Sequence, residues 1–209
     1  SKIKNTEVNY SGKLSINPFD LNLNININNY KLFKLLNINL ILNELIKTEL
    51  LFNENISVNT TIATASNLKK EIFQNVKINF NIINGKINFN KTMLINKKIG
   101  SLELMNSDLF FENDALILNT DIVVDINNSD KLFSLLQTKK QFRKPIKSAL
   151  INLNYNFLTN QIEFNNFKID DKKISNQFLR VIGDFNNNKF NNWIKSRRLF
   201  NAILESYEG

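Results

Sequence analysis

The 209-residue sequence has no Cys and no His, only 2 Pro and 5 Gly, and no apolar run of about 18 residues or more. Each gap closes a class of function. Without Cys there are no disulfides, no thiolate metal sites and no Cys nucleophile. Without His there are no imidazole metal ligands and no His-based catalytic triad. The lack of Cys does not identify a compartment. No secretory signal opens the chain at Ser1. It enters a strand-like pattern almost at once and reads as a segment cut from a longer protein. A missing anchor therefore leaves the parent's membrane attachment open.

What is present is equally uneven. About forty Asn accompany abundant Ile, Lys and Phe, the residues of AT-rich codons, so much of the Asn is assigned to a low-GC genome. Mean hydropathy is −0.24 with 43% hydrophobic residues, ordinary for a folded protein. The length fits one domain, or one domain with an appendage, and suffices to bury a core. Net charge is +8, but Lys and Arg are scattered. The densest cluster, Lys139, Lys140, Arg143, Lys144 and Lys147, belongs to no nucleic-acid motif. Anionic lipid headgroups suit it at least as well, and no nucleic-acid partner is expected.

Period-two alternation dominates. It runs through 5–16, 20–28, 55–65, 76–90, 100–105, 108–113, 115–126, 148–158 and 161–170. Within 76–90, Ile78, Phe80 and Ile82 share one face, Asn84-Gly85 turns, and Ile87 and Phe89 return. Asn-Gly is the strongest local hairpin signal, because a type I′ turn needs positive φ at both central residues. Asn113-Asp114 and Thr159-Asn160 are further turn pairs. Short links predict antiparallel meanders. Helical spacing appears over 30–50, over 130–139 with Ser129 or Asp130 as N-cap, and in the last forty residues, where Ser175 caps a segment ended by Gly183. Phe190, Trp193, Phe200, Leu204 and Tyr207 then form one stripe.

No catalytic constellation emerges. Glu112, Asp114, Asp121 and Asp125 sit in turns or on polar strand faces, and no calcium-loop pattern exists. The Asn-x-Ser/Thr sequons are expected by chance in so Asn-rich a chain. The expectation is a non-enzyme with no catalytic residue, metal or cofactor. The apolar stripes carry the argument. An antiparallel sheet with one apolar face must cover it with a second sheet, helices or a ligand.

The order of these elements resembles the AsmA-like family of bacterial envelope proteins. "GKLSINPFDLNLNININNYKLFKLL" looks like its recurring unit, a strand ending near "PF" followed by an amphipathic strand and a Leu-rich helix. "LILNELIKTELLFNENISVNTTI" continues it. "VKINFNIINGKINFNKTMLI" resembles its strand, Asn-Gly, strand element, followed by a strand pair such as "IGSLELMNSDLFFENDALIL". "IEFNNFKIDDKKISNQFLRVIGDFN" resembles its closing strand and helical end. The likeness spans nearly the whole chain, rests on pattern rather than catalytic residues, and departs in the sparse Gly.

The resemblance implies a bridge-like lipid transfer protein of a Gram-negative bacterium. Such proteins are anchored in the inner membrane by an N-terminal helix, which would lie outside this chain, and extend a β-groove into the periplasm. The groove would carry phospholipid acyl chains in outer-membrane biogenesis. The expected fold is mainly β with minor α: a curved antiparallel sheet, a β-groove or half-barrel over 1–170, with helical insertions near 30–50 and 130–140 and a C-terminal helical tail over 171–209.

The expected groove lining is Leu21, Leu23, Ile25, Ile27, Ile78, Phe80, Ile82, Ile87, Phe89, Leu116, Leu118, Leu153, Tyr155, Ile162 and Phe164. Charge at Phe80 and Phe89 is expected to abolish lipid binding while sparing the fold. The tail, with Phe190, Trp193, Lys195, Arg197, Arg198, Phe200, Leu204 and Tyr207, either packs on the sheet, plugs the groove or touches a membrane. The alternative is a structural or adhesive β-sandwich of an envelope protein with a closed core and no lipid cargo.

Overall fold

The computed structural model describes residues 2–3, 6–28, 52–65, 72–112, 115–159, 161–170, 172–173 and 193–207. The predicted helical segments at 30–50 and 175–183, the Asn113-Asp114 turn and Phe190 lie outside them. The described residues are mainly β: one large curved sheet with two α-helices, one of them near the C-terminus.

The strands are β1 (Lys2–Ile3), β2 (Thr6–Ile16), β3 (Phe19–Asn28), β4 (Ile56–Ala65), β5 (Asn75–Ile83), β6 (Lys86–Asn88), β7 (Thr92–Asn96), β8 (Gly100–Glu112), β9 (Ala115–Ile126), β10 (Ser148–Asn156), β11 (Gln161–Ile169) and β12 (Lys172–Lys173). They form one sheet in chain order, with β7 set between β5 and β8 beside β6. Helices α1 (Ser129–Leu136) and α2 (Trp193–Ser206) complete it.

Alternation predicts most of these strands, and the hairpin between β5 and β6 turns on Asn84-Gly85 as expected. Ile83 pairs with Lys86, and both turn residues have positive φ, 51° and 69°. Three features differ from the sequence reading. The sheet is mixed rather than antiparallel throughout, because β3 and β4 pair in parallel from Phe19↔Ile56 to Asn28↔Ala65. The segment 100–105 and residues 108–112 of the segment 108–113 belong to one long strand, β8, interrupted by a bulge between Met105 and Asp108. The "TMLIN" of β7 is a further strand.

Sparse Gly does not keep the sheet flat. A bulge inserts an extra residue and bends its strand. At the β8 bulge Asn106 takes φ 48°, a left-handed conformation that Asn tolerates better than most residues. A second irregularity in the β10–β11 pairing falls between Asn152 and Leu153. At Gly100, φ is 152°, and a Cβ there would run into the Asp125 carbonyl oxygen across the β8–β9 ladder. Only glycine fits that close backbone approach.

The N-cap of α1 is Asn128, rather than Ser129 or Asp130. Its Oδ1 accepts from Lys131 N at 3.0 Å, and its backbone is extended. Ser129 instead fastens the helix to the β10 approach: its Oγ donates to Ile146 O and accepts from Ile146 N. The segment assigned to the helical tail also contains β12, which pairs with the end of β11 through Ile169↔Lys172.

Candidate functional site: one apolar face, half covered

Register puts the apolar stripes on a single face. Across the parallel junction Leu21 stands beside Val58, and Ile25 beside Ile62. Val58 then faces Ile82, and Thr60 faces Phe80. Ile82 faces Ile87, Ile87 faces Leu109, and Leu109 faces Leu118. Leu118 faces Tyr155, which faces Ile162, while Leu153 faces Phe164. Strand parity adds Leu23, Ile27, Ile78, Phe89 and Leu116. The fifteen candidate lining residues therefore occupy one side of the sheet.

They do not share one environment. Ile82 and Ile87 are fully buried, in a cluster with Val58, Leu109 and Leu116. Leu21, Phe80, Phe89 and Leu118 pack half-buried against that cluster, joined by Phe52, Ile56 and Phe157. The Phe80 and Phe89 rings lie 5.5 Å apart, within the range of a favourable aromatic pair. Charge at these two positions would therefore disturb packing as well as any ligand.

At the C-terminal end the face is covered by helices. Leu153 and Phe164 join Ile151, Phe167 and Ile169 in a second cluster, closed by Phe133 and Leu136 of α1 and by Leu199, Ile203, Leu204 and Tyr207 of α2 and its end. Tyr155 and Ile162 sit at its margin. Of the tail residues, Leu204 and Tyr207 are buried, Phe200 is half-buried against the cluster, Arg197 is half-buried and Arg198 is exposed. Trp193 and Lys195 lie in α2. The stripe read from sequence passed over Leu199 and Ile203, the centre of the contact. Spacing of 199, 203, 204 and 207 is itself a helical i, i+4, i+5, i+8 pattern and could have revealed them.

Two polar clasps hold α2. Thr138 Oγ1 donates to Asn201 Oδ1 at 2.7 Å, and Asn201 Nδ2 donates to Leu136 O at 2.9 Å. Tyr207 Oη donates to Asp170 Oδ2 at 3.0 Å, while Asp170 Oδ1 accepts from the Lys147 and Ser148 N–H groups. Burial pushes the Asp170 carboxyl up, but the Ser148 and Lys147 N–H groups, the Tyr207 hydroxyl and the Lys147 charge outweigh it, and the net pKa is low. Burial, then the hydrogen bond and charge of Asp170, push the Tyr207 hydroxyl up.

Between this helical cover and strands β8–β11 lies a cavity of about 350 Å³ whose exposed wall is entirely apolar. It lies within the usual range of small-ligand sites, about 300–1,000 Å³. Leu153, Ile162 and Phe164 line it, together with residues of both helices.

Among the described residues, the N-terminal end is open. On β2, Tyr10 pairs with Ile25, Leu14 with Leu21 and Ile16 with Phe19, so the apolar face continues onto this strand. There Tyr10 is 77%, Leu14 60%, Ile16 81% and Phe19 39% exposed. Leu21, Leu23, Ile25 and Ile27 are half-buried. The outer edge of β2 pairs with β1 only at Thr6 and Glu7, so among the described residues Tyr10–Ile16 face no strand on that side.

The Asn residues of the opposite face tie strands together. Amides there bridge strands: Asn119 Nδ2 donates to Asn154 Oδ1, Asn152 Nδ2 to Asp121 Oδ1, Asn165 Nδ2 to Asn152 Oδ1 and Asn106 Nδ2 to Asp121 Oδ2. Buried Asn79 accepts from Thr61 Oγ1 and donates to Lys91 O. An amide both donates and accepts, so it can link neighbours that a carboxylate cannot.

Among the described residues, no group of three or more Asp or Glu is placed to hold a metal ion, and no helix is long and apolar enough to cross a membrane. The site is an extended apolar surface on a polar-backed sheet. Compared with known protein families, curated proteins and solved structures, the chain matches none of them.

Proposed function

We propose that this chain is the lipid-handling part of a periplasmic, AsmA-like envelope protein, anchored in the inner membrane by a segment outside it and serving phospholipid transport in outer-membrane biogenesis. One observation carries the reading: a continuous apolar face runs from β2 to β11, and its β2–β3 end is exposed. Water-exposed apolar surface on this scale marks an interaction site. Acyl chains would bind it by burial, worth roughly 25 cal/mol per Å², and could slide because no directional bonds hold them. The reading needs no catalytic residue, metal or cofactor, and treats the chain as a non-enzyme.

The test is native mass spectrometry of the purified chain for bound phospholipid, with Leu14→Glu/Ile16→Glu as the variant. Both side chains are exposed, so the substitution spares packing. Bound phospholipid in the parent and its loss in the variant supports the proposal; unchanged lipid in the variant removes it.

The second reading, a structural or adhesive envelope domain without lipid cargo, draws on the two buried clusters. It expects no lipid in either protein.

A further inference from the structure

The cavity under α1 and α2 differs from the open face in kind. It is enclosed by helices on one side and sheet on the other, and its exposed wall is apolar throughout. Protein interiors hold few voids larger than a water molecule, and an apolar cavity attracts no water to fill it but does accept apolar guests. Its cover is fastened by side-chain hydrogen bonds at Asn201 and Tyr207 rather than by apolar packing alone.

The rim of one corner, outside the apolar wall, carries polar and charged groups. Ile99, which lines the cavity, accepts at its carbonyl from the Asn127 and Asn128 N–H groups. Asn96, also lining it, donates to Ile72 O and accepts from the Lys98 and Ile99 N–H groups. Ile126 N donates to Lys147 O. These bonds gather the β7–β8 turn, the start of α1 and the approach to β10 at one end of the cavity. No lysine lines the cavity, but exposed Lys97 and Lys98 stand between the lining residues Asn96 and Ile99, exposed Lys131 adjoins Leu132 and exposed Lys147 adjoins Ile146, against exposed Asp130 and against Asp125, which is exposed and itself lines the cavity; Asp170 is engaged by Tyr207 and two N–H groups. At the other end the cavity reaches Leu153, Ile162 and Phe164.

We propose that this cavity is a separate binding site for one hydrocarbon chain bearing an anionic head, the tail lying between α2 and β9–β11 and the head at the Lys97–Lys98 corner. The proposal deepens the lipid-handling reading and rests on it for the ligand class, but it places a single chain in a pocket between helices and sheet. A carboxylate or a phosphate head shares the required charge.

The experiment is a fluorescence titration of the delipidated chain with cis-parinaric acid, competed by oleate, lysophosphatidylglycerol and monoolein. Saturable binding is expected, with both anionic lipids competing at least tenfold better than monoolein. Oleate alone competing would assign a carboxylate head, and lysophosphatidylglycerol competing equally would admit a phosphate; both support the site. Monoolein competing equally would overturn it, as would absence of saturable binding.

Ala149→Phe and Leu132→Phe each place a ring at the cavity wall. Each should weaken parinarate binding at least tenfold while urea unfolding stays cooperative, and one folded variant suffices. Unchanged affinity in a folded variant overturns the site. Leu14→Glu/Ile16→Glu should remove any parinarate held on the open face and leave the saturable cavity component. If that variant abolishes it and the cavity variants do not, the chain sits on the open face: the cavity proposal fails while the proposed function stands. If the cavity variants alone abolish it and no phospholipid co-purifies, the reverse holds.

Discussion

Strands β2–β3 and β10–β11 are both antiparallel pairs with apolar residues on the same side of one sheet, yet one pair is exposed and the other buried. Ile16 is 81% exposed, whereas Ile169 is 2% exposed. Alternation does not separate them; both pairs set apolar residues against polar ones. The difference is that α1 and α2 lie over one end. Burial here is assigned by topology, and an identical local pattern acquires opposite energetic meaning.

The comparison can be broken most forcefully at Ile203 and Ile16. Ile203→Ala removes a buried side chain from the helical cover and should destabilise by about 2–5 kcal/mol. Ile16→Ala should stay within about 0.5 kcal/mol. Urea denaturation of the two variants measures both, and equal losses would mean that the two ends are covered alike. Next comes Gly100→Ala on β8, which meets the Asp125 carbonyl at a backbone conformation side chains avoid and should lose about 1–3 kcal/mol, seen as a lower melting temperature.

Tyr207→Phe keeps the ring and removes one clasp of the cover, for a loss of about 1 kcal/mol. It should also flatten the pH dependence of stability. The folded Asp170 pKa lies below the unfolded value of about 3.9, so its contribution is present above that value and lost as pH falls through the folded pKa. The folded Tyr207 pKa is raised, so its contribution is present below about 10 and lost as pH rises beyond. Unfolding free energies at pH 3, 7 and 10.5 for parent and variant should differ most at pH 7. The smallest expected effect is Asn154→Ala on the polar face, roughly 0.5 kcal/mol from one cross-strand amide bond.

Much of this architecture is legible in the residues. Parity alone places Ile78, Phe80, Ile82, Ile87 and Phe89 on one face, and Asn84-Gly85 fixes the hairpin between them. The parallel β3–β4 pair is not legible, because alternation is the same whichever way a neighbour runs. Nor does local pattern choose among Asn127, Asn128, Ser129 and Asp130 for the cap of α1; all are good capping types, and the bonds from Asn127 and Asn128 to Ile99 and from Ser129 to Ile146 settle it. The β8 bulge escapes for a similar reason: "LELMNSDLFF" breaks alternation in a way that reads equally as a turn. The candidate site was visible as a set of residues but not as an environment. Periodicity says which side chains share a face and carries no information on what lies over it.

The parallel junction has a consequence for how the chain acquires its shape. From β4 to β12 neighbouring strands are antiparallel, many joined by short turns, and such contacts form early because little chain entropy is spent closing them. β3 can meet β4 in parallel only after the whole segment from Asn28 to Ile56 has returned to the same end of the sheet. Among the described strands, that connection is the longest between strands consecutive in sequence. Assembly order then favours β4–β12 as the nucleus, with the β2–β3 hairpin docking onto it last. The strands that stay most exposed in the finished protein are then expected to be those that attach last.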